Sequence, residues 1–388
     1  MNQKLAHLTE KQIAELIGRY YEQREKVSDL INEYGIDVRP SAFVSLLPPI
    51  VYHDLSCDFC ENQNLVSKRT SRDGWSSITP ECPQCGHKCD NCRCKNCRQR
   101  AVELQQIEDE QKRAILHAEY GGASKPPVIA TDITLTDAIY LLSVSRHSLS
   151  EDMDQIHPFS DKPPTLAPTL EYKNDLIKHL YAKGFIKISS ESNPKAFVFD
   201  DGITETTAYY PTTVAWLFMP TMTTGEKRQY LREVENTAKE GPWPDSWNKK
   251  VDILWHLIAK YECFEYYDYL LNQRGFEFDK IGPKTHEVFE NLLTKFSVSQ
   301  IFNLTWQAVR DITDYSVKED LPKYRTKNMF IGAIQRKADK YQAEGWELRH
   351  SRRDFNRPQT VLSSTFFDVF LEFGQAAFET KPSKIDLE

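Results

Sequence analysis

CDFCENQNLVSKRTSRDGWSSITPECPQCGHKCDNCRCKNC, residues 57–97, holds eight of the nine cysteines of this 388-residue chain. They fall as Cys57-x2-Cys60, Cys82-x2-Cys85 and Cys89-x2-Cys92-x-Cys94-x2-Cys97. A C-x2-C pair carries two thiolates on one tight turn, which suits two corners of a tetrahedral metal site. Four such pairs supply two four-thiolate sites, and that donor set points to zinc, two ions per chain. The compact run from Cys89 to Cys97 departs from the usual C-x2-C-x2-C spacing of iron–sulfur proteins. Spacing leaves open whether the pairs are used in order or interleaved. His87 could replace a thiolate, but with eight cysteines in hand it reads as a bystander.

The 21 residues between Cys60 and Cys82 include the apolar pair Leu65-Val66 and a turn at Asp73-Gly74. That arrangement resembles a zinc ribbon, in which two knuckles on short hairpins share one ion. The surrounding cations Lys68, Arg69, Arg72, Lys88, Arg93, Lys95, Arg98 and Arg100 have two readings. They contact phosphate, or they offset the −2 formal charge of each four-thiolate zinc centre.

Composition narrows the classes. The chain is 40% hydrophobic and 12% aromatic, enough for packed cores, and its length predicts several domains. A net charge of −7 excludes a uniformly basic nucleic-acid coat, so any nucleic-acid contact needs local patches. No apolar run is long enough to span a bilayer and the first residues lack a signal-peptide core, which predicts a cytoplasmic protein without membrane contact. Thiols stay reduced in that compartment, so the cysteine pairs read as metal ligands.

Upstream of the cysteines, residues 1–50 predict a helical unit: a helix capped by Thr9, a second over Val27–Tyr34 stopped by Gly35, and a third after Pro40. The order resembles the helix-turn-helix of resolvases, transposases and small bacterial regulators. That resemblance implies DNA-facing roles for Arg39, Ser41 and Ser45. The competing reading is a three-helix cap on the metal module of residues 51–100. Residues 101–130 predict a long solvated helix ending at Gly121-Gly122, then a linker.

Residues 131–222 predict a helix from Leu135, a Pro-rich crossing, a helix over Leu170–Lys183 and strands near 185–188, 196–199 and 214–218. The run DLIKHLYAKGFI (175–186) resembles a winged-helix recognition helix entering its wing. Lys173, Lys178 and Lys183 would be its exposed cations, and Glu171, Asp175 and the Asp200-Asp201-Gly202 turn oppose a phosphate-facing role. Residues 223–388 predict a helical bundle. Within it, Lys318–Arg357 carries eleven Lys or Arg against six Asp or Glu, including Arg336, Lys337, Arg349, Arg352, Arg353 and Arg357. The expected architecture is mainly α and multidomain, with a double zinc module and a winged-helix-like α+β domain.

No phosphate loop, nucleophile elbow, H-E-x-x-H or deaminase signature occurs. Glu262 and Glu265 could face together on one helix. The function expected is therefore DNA binding without catalysis, in a regulator or a mobile-element or phage-defence component. The alternatives are a scaffold that docks a protein partner and a nuclease with scattered carboxylates in the bundle. Nothing in the sequence points to a small-molecule substrate.

Overall fold

The computed structural model describes residues 3–60, 63–72, 79–88, 92–159, 162–240, 243–277 and 281–382. The chain forms two compact units, residues 1–110 and 111–388. It is mainly helical, and its strands are confined to three small antiparallel sheets. No helix among the described residues is long and apolar enough to cross a membrane.

The first unit begins with α1 (Glu10–Tyr21), α2 (Val27–Glu33) and the single turn α3 (Phe43–Leu46). Thr9 and Gln12 form a reciprocal capping box at the start of α1, satisfying two otherwise unpaired N–H groups. Gly35 ends α2 at φ +62°, a left-handed conformation that a side chain would strain. Arg19 ties the two helices together, reaching Glu25 at 2.8 Å and Glu33 at 2.7 Å. The third helix is short. A 3-10 turn over Pro40–Ala42 runs into α3, and Leu47 is already extended because Pro48 disfavours helical backbone before it. Only two turns are thus available near Arg39–Leu47, less than the reading helix expected there.

β1 (Ile50–Ser56) pairs antiparallel with β2 (Asn64–Ser67), and single bridges Val66–Glu81 and Glu81–Lys88 extend the ladder. The helices pack on this ribbon through two arginines. Arg72 donates to the Tyr20 carbonyl at 3.0 Å and covers its ring, and Arg69 donates to the Pro48 carbonyl at 2.8 Å. Both side chains are engaged in packing the helices on the ribbon. The Asp73-Gly74 turn lies outside the described residues.

α4 (Lys95–Tyr120) carries the chain from the first unit into the second. Val102, Leu104 and Ile107 are exposed on it, whereas Leu116 enters the second unit's core. That unit contains α5 (Leu135–Ser148), β3 (Gln155–Ile156), α6 (Leu170–Ala182), β4 (Ile186–Ile188), β5 (Phe197–Phe199), β6 (Thr206–Tyr209) and β7 (Trp216–Phe218). The strand order is β3-β7-β4, and β5–β6 stands apart as a hairpin. Asp200 shapes the hairpin turn by accepting from the N–H groups of Gly202, Thr204 and Glu205, and these donors hold its carboxyl down at about 2.

The remaining helices are α7 (Thr224–Glu240), α8 (Asp245–Asn248), α9 (Val251–Asn272), α10 (Pro283–Leu293), α11 (Val298–Lys318) and α12 (Lys323–Ala343). Ser297 and Gln300 close a capping box on α11. α9 is buried on nearly all sides and forms the centre of the bundle. The closing helical segment is broken: a turn at Val361–Ser364 passes into a π-helical turn at Thr365–Phe370. Glu372 and Gly374 then take positive φ before Ala376–Glu379. One continuous core runs from Leu116 to Phe378, joining segments that composition would divide near residue 222.

Candidate functional site

The cysteine stretch folds into two donor clusters, Cys57–Cys60–Cys82–Cys85 and His87–Cys92–Cys94–Cys97, each with its donor atoms within 4.8 Å of one another. Both could hold a metal ion. The pairs are used in order, not interleaved. The first cluster lies between the β1–β2 turn and the knuckle at residues 82–85. Cys57 N–H donates to the Gln63 carbonyl at 2.9 Å, and Gly86, at φ +70°, closes the knuckle by donating to the Cys82 carbonyl at 2.9 Å. Cys57 Sγ and Cys85 Sγ are 3.6 Å apart. Tetrahedral zinc with ~2.3 Å bonds to sulfur requires a sulfur–sulfur edge of ~3.8 Å, so the donors fit such an ion.

The second cluster corrects the reading of His87. It is buried, with Nδ1 3.2 Å from Cys97 Sγ and Nε2 3.5 Å from Asp58 Oδ2. A carboxylate on the far ring nitrogen orients a metal-binding imidazole and raises its basicity. Cys89, counted from spacing as a ligand, lies outside the described residues. Cys94 sits at the N-terminus of α4, its Sγ accepting from Cys97 N–H at 3.5 Å, and Cys97 is on the first turn. Burial, reinforced by the neighbouring Cys92 and Cys94 sulfurs, pushes the Cys97 thiol up to about 12. Backbone N–H groups of Cys94 and Lys88 hold the Cys92 thiol down at about 6. Burial pushes Cys82 up, but N–H donors from Cys85 and Gln84 prevail and bring it to about 7. Burial pushes Cys85 up to about 12, so each cluster pairs a readily ionised thiol with one that holds its proton, and a metal ion, which binds thiolates, would displace that proton.

Metal analysis of the full chain is expected to give two ions. His87→Ala should remove the second ion and leave the first. Retention of both would show that the imidazole is not a ligand.

The candidate phosphate contacts divide sharply. Arg39, Ser41, Lys88, Arg93 and Lys95 are exposed in the first unit, and Lys178, Arg336, Arg349 and Arg352 in the second. Lys173, expected on the outer face of α6, is buried at 4% exposure. Lys337 pairs with Asp311 at 2.7 Å. Arg353 turns inward to buried Glu262 at 2.9 Å, which also accepts from Ser363 Oγ at 2.6 Å. Arg357 covers the Tyr269 ring at 4.9 Å. Formal charge counts these four with the rest, but tertiary contacts withdraw them from a phosphate-facing surface.

The sequence reading also missed the exposed aromatic groups beside cations of α11 and α12. Trp306 and Trp346 are about half exposed, with Arg310 4.8 Å from the first ring and Lys340 5.1 Å from the second. Gln307 Nε2 donates to Tyr341 OH at 3.3 Å, and Asn303 Nδ2 to Ser351 Oγ at 3.5 Å. These contacts bring the Trp306 turn of α11, the end of α12 and the Arg349–Arg352 segment onto one surface. Phe355 is 96% exposed just beyond it. Exposed aromatics near cations in the primary sequence were the available signal, obscured because Trp and Phe at helical spacing ordinarily fill a core.

These features define a chain with a two-cluster Cys/His metal module leading through one long helix to a mainly helical body. Comparison with protein-family models, with curated proteins and with solved structures found no match. Its function is therefore argued from its own geometry.

Proposed function

We propose that this chain is a zinc-containing DNA-binding protein in which the metal module is structural and the second unit carries the main contact surface. The observation that carries the reading is the surface of α11, α12 and Arg349–Arg352. There, two exposed indoles stand beside cations, with Arg336, Arg349 and Arg352 free to meet phosphate. Bases stack on exposed aromatic rings while cations track the backbone, a combination that works without a uniformly basic protein. The sheet of order β3-β7-β4, with α6 between β3 and β4 in the chain and a separate β5–β6 hairpin, supports a winged-helix-like reading of residues 131–222. Lys178 and Lys183 are its exposed cations.

The test is fluorescence anisotropy with mixed duplex and single-stranded DNA at two salt concentrations, with Mg2+ present. Binding is expected to fall steeply with salt and to leave the DNA intact. Arg349→Ala with Arg352→Ala should weaken binding to all sequences alike and reduce the salt slope by about 2. Trp346→Ala should cost single-strand binding about 1–3 kcal/mol. Absence of binding at low salt defeats the proposal.

A second reading, protein docking, has one observation in its favour. A groove of about 660 Å³ in the first unit is lined by Leu5, Ile13, Ile17, Leu46, Leu47 and Pro48. Failure to bind DNA would direct attention there.

A further inference from the structure

A cavity of about 690 Å³ lies in the second unit between the start of α6 and the middle of α9. Its volume is in the range of small-molecule sites. Glu171, Lys173 and Asn174 line it from α6, Glu265 and Asp268 from α9, and Arg357 from the segment after α12. Leu170, Phe264 and Ile281 give it an apolar wall.

Two of its polar groups are left over by the fold. Asn174 Oδ1 and Arg357 Nε are buried without a hydrogen-bond partner among the described residues. The Glu265 carboxyl makes no hydrogen bond or ion pair among them either. Buried polar groups in folded proteins are almost always paired, so an acceptor and a donor unmatched around one cavity, with the Glu265 carboxyl facing it, point to a ligand. The charges are mixed, carboxylates and cations sharing the walls. A pure anion would meet Glu171, Glu265 and Asp268, and a pure cation would meet Lys173 and Arg357.

We propose that this cavity binds a small zwitterion, an amino acid with an apolar side chain. Its carboxylate is held by Arg357, whose Nε is the unpartnered donor. Its ammonium is held by Glu265, Asp268 and the Asn174 carbonyl, and its side chain lies on Phe264 and Ile281. Three acceptors match the three N–H bonds of an ammonium group. The site is independent of the nucleic-acid surface.

The Glu265 carboxyl supplies a signature. Burial, reinforced by Glu262 on the same helix and opposed by Arg357 and Arg353, pushes it up to about 8. Asp268 on α9 and Glu171 and Lys173 on α6 also share its cavity. An arriving ammonium favours the ionised form, so binding near pH 7 releases a proton from Glu265 to solvent.

The test is calorimetry and thermal shift on the full chain with the standard amino acids. Controls are 3-phenylpropionate, which lacks the ammonium, and phenethylamine, which lacks the carboxylate. At least one apolar amino acid is expected to bind tenfold or more tighter than its half-molecules, with a heat that varies with buffer ionisation enthalpy. Glu265→Gln should abolish that buffer dependence and weaken the amino acid while leaving 3-phenylpropionate unchanged. Arg357→Lys should weaken the amino acid and 3-phenylpropionate together, and Asn174→Leu offers a variant that leaves both ion partners in place. The proposal is overturned if no standard amino acid binds at millimolar concentration, or if the half-molecules bind as well as the whole.

Discussion

Chelation of the metal, or Cys82→Ser, is expected to unfold residues 50–97 while residues 111–388 melt as before. Among the described residues, the first cluster's buried core comprises Cys57, Leu65 and Cys82, with Leu55, Phe59, Cys60 and Cys85 packed against it. Full burial of one leucine contributes about 2 kcal/mol, comparable with the cost of ordering one or two residues. Two short strands cannot make up the difference, because an isolated hairpin is at best marginal in water. A structural zinc ion contributes on the order of 10 kcal/mol, and without it the remaining thiols have no shared partner. The helical cap has its own core of nine buried side chains from Leu5 to Leu47 and should persist, although it loses the Arg69 and Arg72 contacts. Limited proteolysis with and without chelator checks this. Cleavage should appear within residues 50–97 on metal removal and be reversed by zinc. A protease-resistant apo module would mean that the clusters do not hold the fold.

Arg353→Met is expected to destabilise the second unit by about 3–5 kcal/mol, the usual cost of leaving a buried charge without its partner. Arg353 Nη2 lies 2.9 and 3.1 Å from the two Glu262 oxygens, and the Glu262 side chain is only 3% exposed. The guanidinium also covers the Phe378 ring at 4.3 Å, joining α9 to the last helical turn. Removing the cation leaves the carboxylate with Ser363 Oγ alone. The double variant Glu262→Gln with Arg353→Met should recover most of the loss, since the uncompensated charge disappears with its partner. Urea denaturation of the three variants and the parent gives the coupling directly. A loss below about 1 kcal/mol would describe a solvated pair instead, and Arg353 would rejoin the cations available to phosphate.

The same residue illustrates how far the primary structure could be read. Arg349, Arg352 and Arg353 look alike in the sequence, as three cations in five residues. Nothing local separates the outward pair from the inward one, because the partner of Arg353 lies 91 residues away on α9. Lys173 shows the same limit from the other side. Its neighbours Tyr172, Leu176, Ile177 and Leu180 mark the buried face of α6, and the helical period puts Lys173 beside them. That signal was present, but charge suggested solvent. The cavity between α6 and α9 was less legible still, since its walls come from four separate segments and include groups that the fold leaves unpaired.

The sequence by itself determined that thiol pairs at two-residue spacing would gather, where the long helices run, and how Thr9 and Ser297 start two of them. These features depend on neighbours within a turn or two, where backbone geometry fixes the distances. Only the tertiary structure decided that His87 joins the second cluster, that the third helix stops after two turns beside the ribbon, and that one core unites residues 116–378. It also decided which arginines face water. Such outcomes turn on desolvation and on pairing between residues far apart in the chain, energies that no local pattern carries.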